Sequence, residues 1–281
     1  MKKYSIILIC LIGMSLQAQW TQEKGKGYYK IGVWWLEADE HYTSTGLVDP
    51  NATRGLFITN FFGRYGLNDK VTLIGYLPHT RVYQNAQVFS SGREKIPGEQ
   101  FSSLGDINLG LEYQLGKRNS WVYSVSLSLG LPTGKVRAGS DGSYQTGDGE
   151  FNQQLRFHLG KSYQLGKQPF YAKASVGVNQ RSKGFSDELR ASVETGTRIF
   201  KDKLLTLVRA NTIQSFYNGS LDASNSNGSI FANNVEVVNI GGEFIFRLSS
   251  KLSWGLSGSY PIIGRVLYRS TAFSTGISYQ P

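Results

Sequence analysis

Residues 121–131 read WVYSVSLSLGL. Trp121, Tyr123, Val125, Leu127, Leu129 and Leu131 fall on one parity, and Val122, Ser124, Ser126, Ser128 and Gly130 on the other. A helix would scatter the serines around its circumference, whereas a strand collects them on one side, so the stretch predicts a strand with one oily and one wet face. Residues 105–115, GDINLGLEYQL, repeat the scheme, with Ile107, Leu109, Leu111, Tyr113 and Leu115 opposite Asp106, Asn108, Glu112 and Gln114.

The same period of two recurs at 151–160, 170–179, 189–199, 252–260 and 273–279. Twelve strands are expected, near 27–37, 55–66, 70–82, 105–115, 121–131, 150–161, 170–180, 188–200, 204–214, 235–248, 252–260 and 271–280. The third and ninth alternate poorly at Leu73, Ile74, Leu204 and Leu205, which leaves counts of ten and fourteen open. Short turns such as 67–70, 116–120, 201–203 and 249–251 alternate with longer polar links near 38–54, 83–104, 132–149, 181–187, 215–234 and 261–270. Long and short connections therefore lie on opposite rims.

Composition narrows the class. The 281 residues include 33 Gly, 15 Phe, 16 Tyr and 5 Trp, too much apolar surface for a disordered chain. Mean hydropathy is −0.27, and past residue 14 no apolar run of about 20 exists, which excludes a bundle of membrane-spanning helices. Residues 1–19, MKKYSIILICLIGMSLQAQ, have a basic start, an apolar stretch from Ile6 to Met14 and a small, polar end; they predict a secretory signal peptide cleaved after Ala18 or Gln19. The single cysteine, Cys10, lies inside it, and lipidation there is disfavoured by the preceding Ile9. Without Lys2 and Lys3 the formal charge falls from +10 to +8; an exported chain lacking any run of five basic residues is not read as a nucleic-acid binder.

Strands of ten or more residues with a polar second face and two unequal rims predict an all-β fold, a transmembrane antiparallel up-and-down barrel of about twelve strands over residues 20–281. It would sit in the cell outer membrane as a monomer among outer-membrane lipid, long loops outward and short turns toward the periplasm. A lipid-facing Arg or Lys at mid-bilayer costs roughly 2–4 kcal/mol, so the charged parity must face the lumen. The lumen-lining candidates are Asp106, Glu112, Arg156, His158, Lys173, Arg190, Glu194, Arg198, Arg209, Glu243 and Arg247. Trp35, Tyr65, Tyr113, Trp121, Phe170, Trp254, Phe273 and Tyr279 suit interfacial girdles, with a soluble core as the bland alternative.

Several phrases carry a resemblance: YGLND (Tyr65–Asp69), LGDINLGLEYQL (Leu104–Leu115), LPTGK (Leu131–Lys135) and GDGEF (Gly147–Phe151). Over roughly residues 55–281 the chain resembles the outer-membrane family named for the MetA pathway of phenol degradation, which is similar to the long-chain fatty-acid transporter barrels. The resemblance implies passage of small, often hydrophobic compounds, and supplies no catalytic or ligand residues. Only Trp20–Lys26 precede the first expected strand, leaving no room for the transporters' N-terminal hatch. The last strand looks like the aromatic terminal strand read by barrel-assembly machinery, with Pro281 in place of the terminal Phe.

No cofactor, metal site or catalytic residue is expected. Asp39, Glu40, His41 and Asp49 could hold a cation weakly, with a solvated loop as the default. Asp141 and Asp148 lack the helices and closing Glu of a calcium hand. A hydrolase would need a Ser held by an oriented His, and His158 has no Ser two residues on. Inward cations could attract anions or merely pair with the acids. The expected function is a small-solute channel or transport-associated barrel; the alternatives are a non-conducting structural or surface-interaction barrel and an exported soluble β-protein.

Overall fold

A computed structural model describes residues 21–88, 95–220 and 228–281; the expected signal peptide, with Cys10, lies outside them. The strands are β1 (Gly27–Tyr42), β2 (Val48–Gly66), β3 (Val71–Gln84), β4 (Gln87–Val88), β5 (Lys95–Ile96), β6 (Glu99–Leu104), β7 (Ile107–Arg118), β8 (Trp121–Leu131), β9 (Asn152–Leu165), β10 (Gln168–Arg181), β11 (Glu188–Ile199), β12 (Leu204–Ser215), β13 (Glu236–Arg247), β14 (Leu252–Arg265), β15 (Leu267–Tyr268) and β16 (Ala272–Tyr279). Each wall strand pairs antiparallel with its neighbours, and β1 pairs with both β2 and β16. The sheet is therefore a closed cylinder of twelve staves. Closure removes the edges that hydrocarbon would otherwise leave unpaired.

The fourth stave is broken. β3 pairs with β7 along Val71–Tyr76 and with β6 along His79–Gln84, and Gly105 donates its N–H to the Pro78 carbonyl at the corner between them. β4 and β5 pair only with each other, outside the wall. On the short-turn rim, local chemistry closes the hairpins: Asn68 Oδ1 accepts the Lys70 and Val71 amides, and Ser249 Oγ accepts those of Lys251 and Leu252. Such side-chain caps let a turn of few residues satisfy its own backbone.

All twelve expected strands are present, but two expected links are shorter than their polarity implied. Most of 38–54 is hairpin, with β1 and β2 paired as far as Tyr42 and Val48, and β14 continues to Arg265. Beyond the bilayer, backbone pairing remains favourable while the side chains no longer need an oily parity. Polarity there marks water, not a loop.

The outward face is oily throughout the membrane belt, and the girdle aromatics lie on it. Trp35 packs at a tilt beside Phe273, while Phe246 stacks on Trp254 and Tyr163 on Phe170, with ring centroids 5.8, 5.3 and 5.6 Å apart. The inward face divides in two, which corrects the expectation of a uniformly hydrophilic interior. Toward the long-loop rim, Leu36 and Ala38 of β1, Leu56 of β2 and Val82 of β3 form a buried apolar cluster with Tyr144 and Tyr268, flanked by Phe101, Ile230 and Phe231. Loop side chains cover wall residues that would otherwise be wet, so both parities of β1 and β2 are apolar there.

Candidate functional site

Below that apolar cap, toward the short-turn rim, the barrel holds a cavity of about 670 Å³. Its wall carries seven cations, Lys30, Arg64, Lys173, Arg198, Arg209, Arg247 and Lys251, against three acids, Glu194, Asp202 and Glu243. Tyr28, Trp34, Phe62, Tyr76 and Tyr171 supply aromatic wall between them. Trp34 both lines the cavity and packs against the cap, so it marks the boundary between the two. Gln22, also on the wall, precedes β1; its amide donates to Thr72 Oγ1 at 2.7 Å, which holds residues 21–26 against the mouth.

The ion pairs form a chain of residues from five staves, β1, β13, β12, β11 and β10. Lys30 Nζ lies 3.3 Å from Glu243 Oε1, Arg209 Nη2 bridges Glu243 Oε2 at 2.8 Å and Glu194 Oε2 at 3.2 Å, and Lys173 Nζ lies 3.8 Å from Glu194. Tyr171 donates its hydroxyl to Glu194 at 2.9 Å. Backbone geometry makes room for the longest reach. Gly32, Gly276 and Gly255 stand side by side on β1, β16 and β14. A Cβ at Gly276 would come within 3.0 Å of Lys30 Cε and 2.7 Å of the Ile31 carbonyl. The glycines clear a lane along which the lysine lies flat to reach β13.

Opposite, Arg64 contacts Glu112 at 2.5 Å and Ser124 donates to Glu112 at 2.7 Å. Arg198 and Arg247 take part in no ion pair among the described residues, and Arg198 Nε is buried without a hydrogen-bond partner there. With three acids for seven cations, the cavity wall is cationic, and low-dielectric walls focus such a field.

Six of the eleven residues proposed from sequence, Lys173, Glu194, Arg198, Arg209, Glu243 and Arg247, line this cavity. Glu112 joins it through Arg64. Arg156, His158 and Arg190 lie elsewhere on the wall: His158 Nε2 is 2.8 Å from Ser126 Oγ, and Arg190 pairs with Glu188. Asp106 sits between β6 and β7, where its carboxylate accepts the Gly134 amide at 2.9 Å and the Asp148 amide at 2.7 Å, fastening the 132–149 loop. Lys30 and Arg64 were not anticipated, because both parities of β1 and β2 look apolar nearby; the small Gly32 and polar Asn60 on the same parities were the available signal.

The loop carboxylates do not converge. Glu40 pairs with Arg269, and among the described residues no group of three or more His, Cys, Asp or Glu is placed to hold a metal. Ser126 and His158 are the Ser–His contact that a search two residues along the chain misses, because they meet across β8 and β9.

No family model and no curated protein matches the chain. Among solved structures it is similar to an outer-membrane channel from Pseudomonas putida F1, with a TM-score of 0.67 and 12% identity over 93% of this chain and 97% of that one. It is also similar to the β domain of the Bordetella autotransporter Brka, with a TM-score of 0.52 and 13% identity over 92% and 100%. The chain is an outer-membrane β-barrel. At such identity the likeness is one of fold, and it agrees with the closed wall and oily belt described above. In the outer-membrane barrel fold the short turns face the periplasm and the long loops face outward, so the cationic cavity opens toward the periplasm and the apolar cap lies on the outer side.

Proposed function

We propose that the barrel is a channel for small solutes that combine an anionic group with an apolar or aromatic part. The cationic cavity carries this reading: about 670 Å³ lies within the roughly 300–1,000 Å³ typical of small-ligand sites, and its wall alternates guanidinium groups with aromatic rings. Arg198 and Arg247 line the cavity and form no close ion pair among the described residues, which makes them the groups best placed to meet a solute carboxylate. The sequence resemblance to the MetA-pathway family, which implies passage of small, often hydrophobic compounds, accords with the apolar part of such a solute, and the likeness in fold to a channel supports conduction. No covalent step is part of the reading. The eleven inward residues serve as wall, as ion-pair ladder, or, at Asp106, as loop anchor, and the protein acts as a monomer inserted by the barrel-assembly machinery.

A second reading has its own observation. The apolar cap packs loop side chains against the inner wall in the outer half of the lumen, as would befit a non-conducting structural barrel. Planar-bilayer recording under a salt gradient separates the two. Anion-selective conductance that weakens in R198Q/R247Q is expected for the channel. A correctly inserted barrel without conductance supports the structural role.

A further inference from the structure

The outer wall carries a second depression, of about 750 Å³, on the other side of the sheet from the central cavity, where Lys173, Glu194 and Arg209 belong to both. It exists because small residues take outward positions in adjacent staves. Ala172 stands beside Lys161 and Thr195, Ala174 beside Leu159 and Val193, and Ala210 beside Val193 and Ile240. The larger Trp121, Leu159, Tyr163 and Ile240 rise around them, so the floor is low and oily where the rest of the belt is full.

At its periplasmic end the depression meets positive charge. Lys161 Nζ sits 4.8 Å from the centroid of the Trp121 ring and has no ion pair among the described residues. Arg118 is the register partner of Trp121 on β7 and is exposed on the same side. A lysine on the lipid face is tolerated near an interface, where its stem runs over apolar surface and its head reaches water or a headgroup. Cations at the rim with an oily trough leading from them toward the membrane centre match an amphiphile with an anionic head and an extended tail.

We propose that this trough is a specific site for one anionic phospholipid of the periplasmic leaflet, its phosphate held by Lys161 and Arg118 and one acyl chain lying over Ala172, Ala174 and Ala210. The inference rests on the barrel fold alone and stands whether or not the lumen conducts.

Native mass spectrometry of the purified full-length barrel, released from detergent with added palmitoyl-oleoyl phosphatidylglycerol, tests it. One retained lipid per barrel is expected, weakened about tenfold in K161Q, the scale of a lost charged hydrogen bond. A174L, which fills the floor without touching the charge, should lose the lipid as well. K70Q, on a different turn of the same rim, should retain it. Heat-shifted migration on gels verifies that each variant is folded. Equal retention by all four proteins, preference for phosphatidylcholine or lipid A, or a dimer that disappears in A174L would overturn the proposal.

Discussion

Arg181 and Glu188 face each other across the outer end of the β10–β11 hairpin with Nη1 2.9 Å from Oε1, and both side chains are only 3% exposed. Arg181 also reaches Asp148 at 3.0 Å, and Glu188 accepts Arg190 and the Asn179 amide group. Removing one member of a buried pair strands the other, at a cost of about 3–5 kcal/mol. Glu188→Ala should therefore lower the urea midpoint of the refolded barrel in liposomes by a corresponding amount. An unchanged midpoint would show that water reaches these guanidinium groups.

The wall faces can be tested with a matched pair on one strand. Leu109 faces outward, 45% exposed, while Asn108 faces the lumen. Leu109→Arg should destabilise the inserted barrel by roughly 2–4 kcal/mol, whereas Asn108→Arg should cost far less. Equal losses in equilibrium unfolding from vesicles would refute the assigned parity.

If the apolar cap limits flow, trimming it should widen the path. Leu56 and Tyr144 are each 2% exposed within it. L56A/Y144A should raise single-channel conductance, and should also cost about 2–5 kcal/mol for each large side chain removed. Higher conductance accompanied by lower stability is the expected combination; lower stability alone would mean that ions pass elsewhere.

Asp106 offers a pH readout at the loop rim. Burial pushes its carboxyl up to about 6 from 3.8, outweighing the Gly134 and Asp148 amides that favour the charged form. Because the folded value lies above the unfolded one, the native state holds the extra proton between the two. The contribution of this group is greatest at low pH and falls as pH rises from about 4 to about 6, then stays flat. Limited proteolysis of the 132–149 loop across that window should show increasing cleavage toward pH 6 in the natural protein and a flat profile in Asp106→Asn. A parallel slope in both would assign the effect to another group.

The fold was legible because lipid demands alternation, and β8 obeys it at every residue from Tyr123 to Leu131. The ends of the strands were not, since pairing between β1 and β2 continues past Ala38 into residues whose side chains no longer answer to hydrocarbon. Within the site, Lys173, Glu194 and Arg209 stand out as charges on clean polar faces. Lys30 does not, because Tyr28, Gly32 and Trp34 share its parity and the residues that justify it, Gly255, Gly276 and Glu243, are more than 200 positions away. The apolar cap was hidden for a related reason: Leu36 and Leu56 face inward only because Tyr144, Ile230 and Phe231 return from distant loops to cover them.

Lys30 belongs to the first stave and Glu243 to the third from last, so their contact spans the joint where the first and last staves meet. That joint is brief, with seven residue pairs between β1 and β16 against fifteen between β1 and β2. The lysine thus works as an internal latch, tying together from within the two sides of the seam where the ring closes.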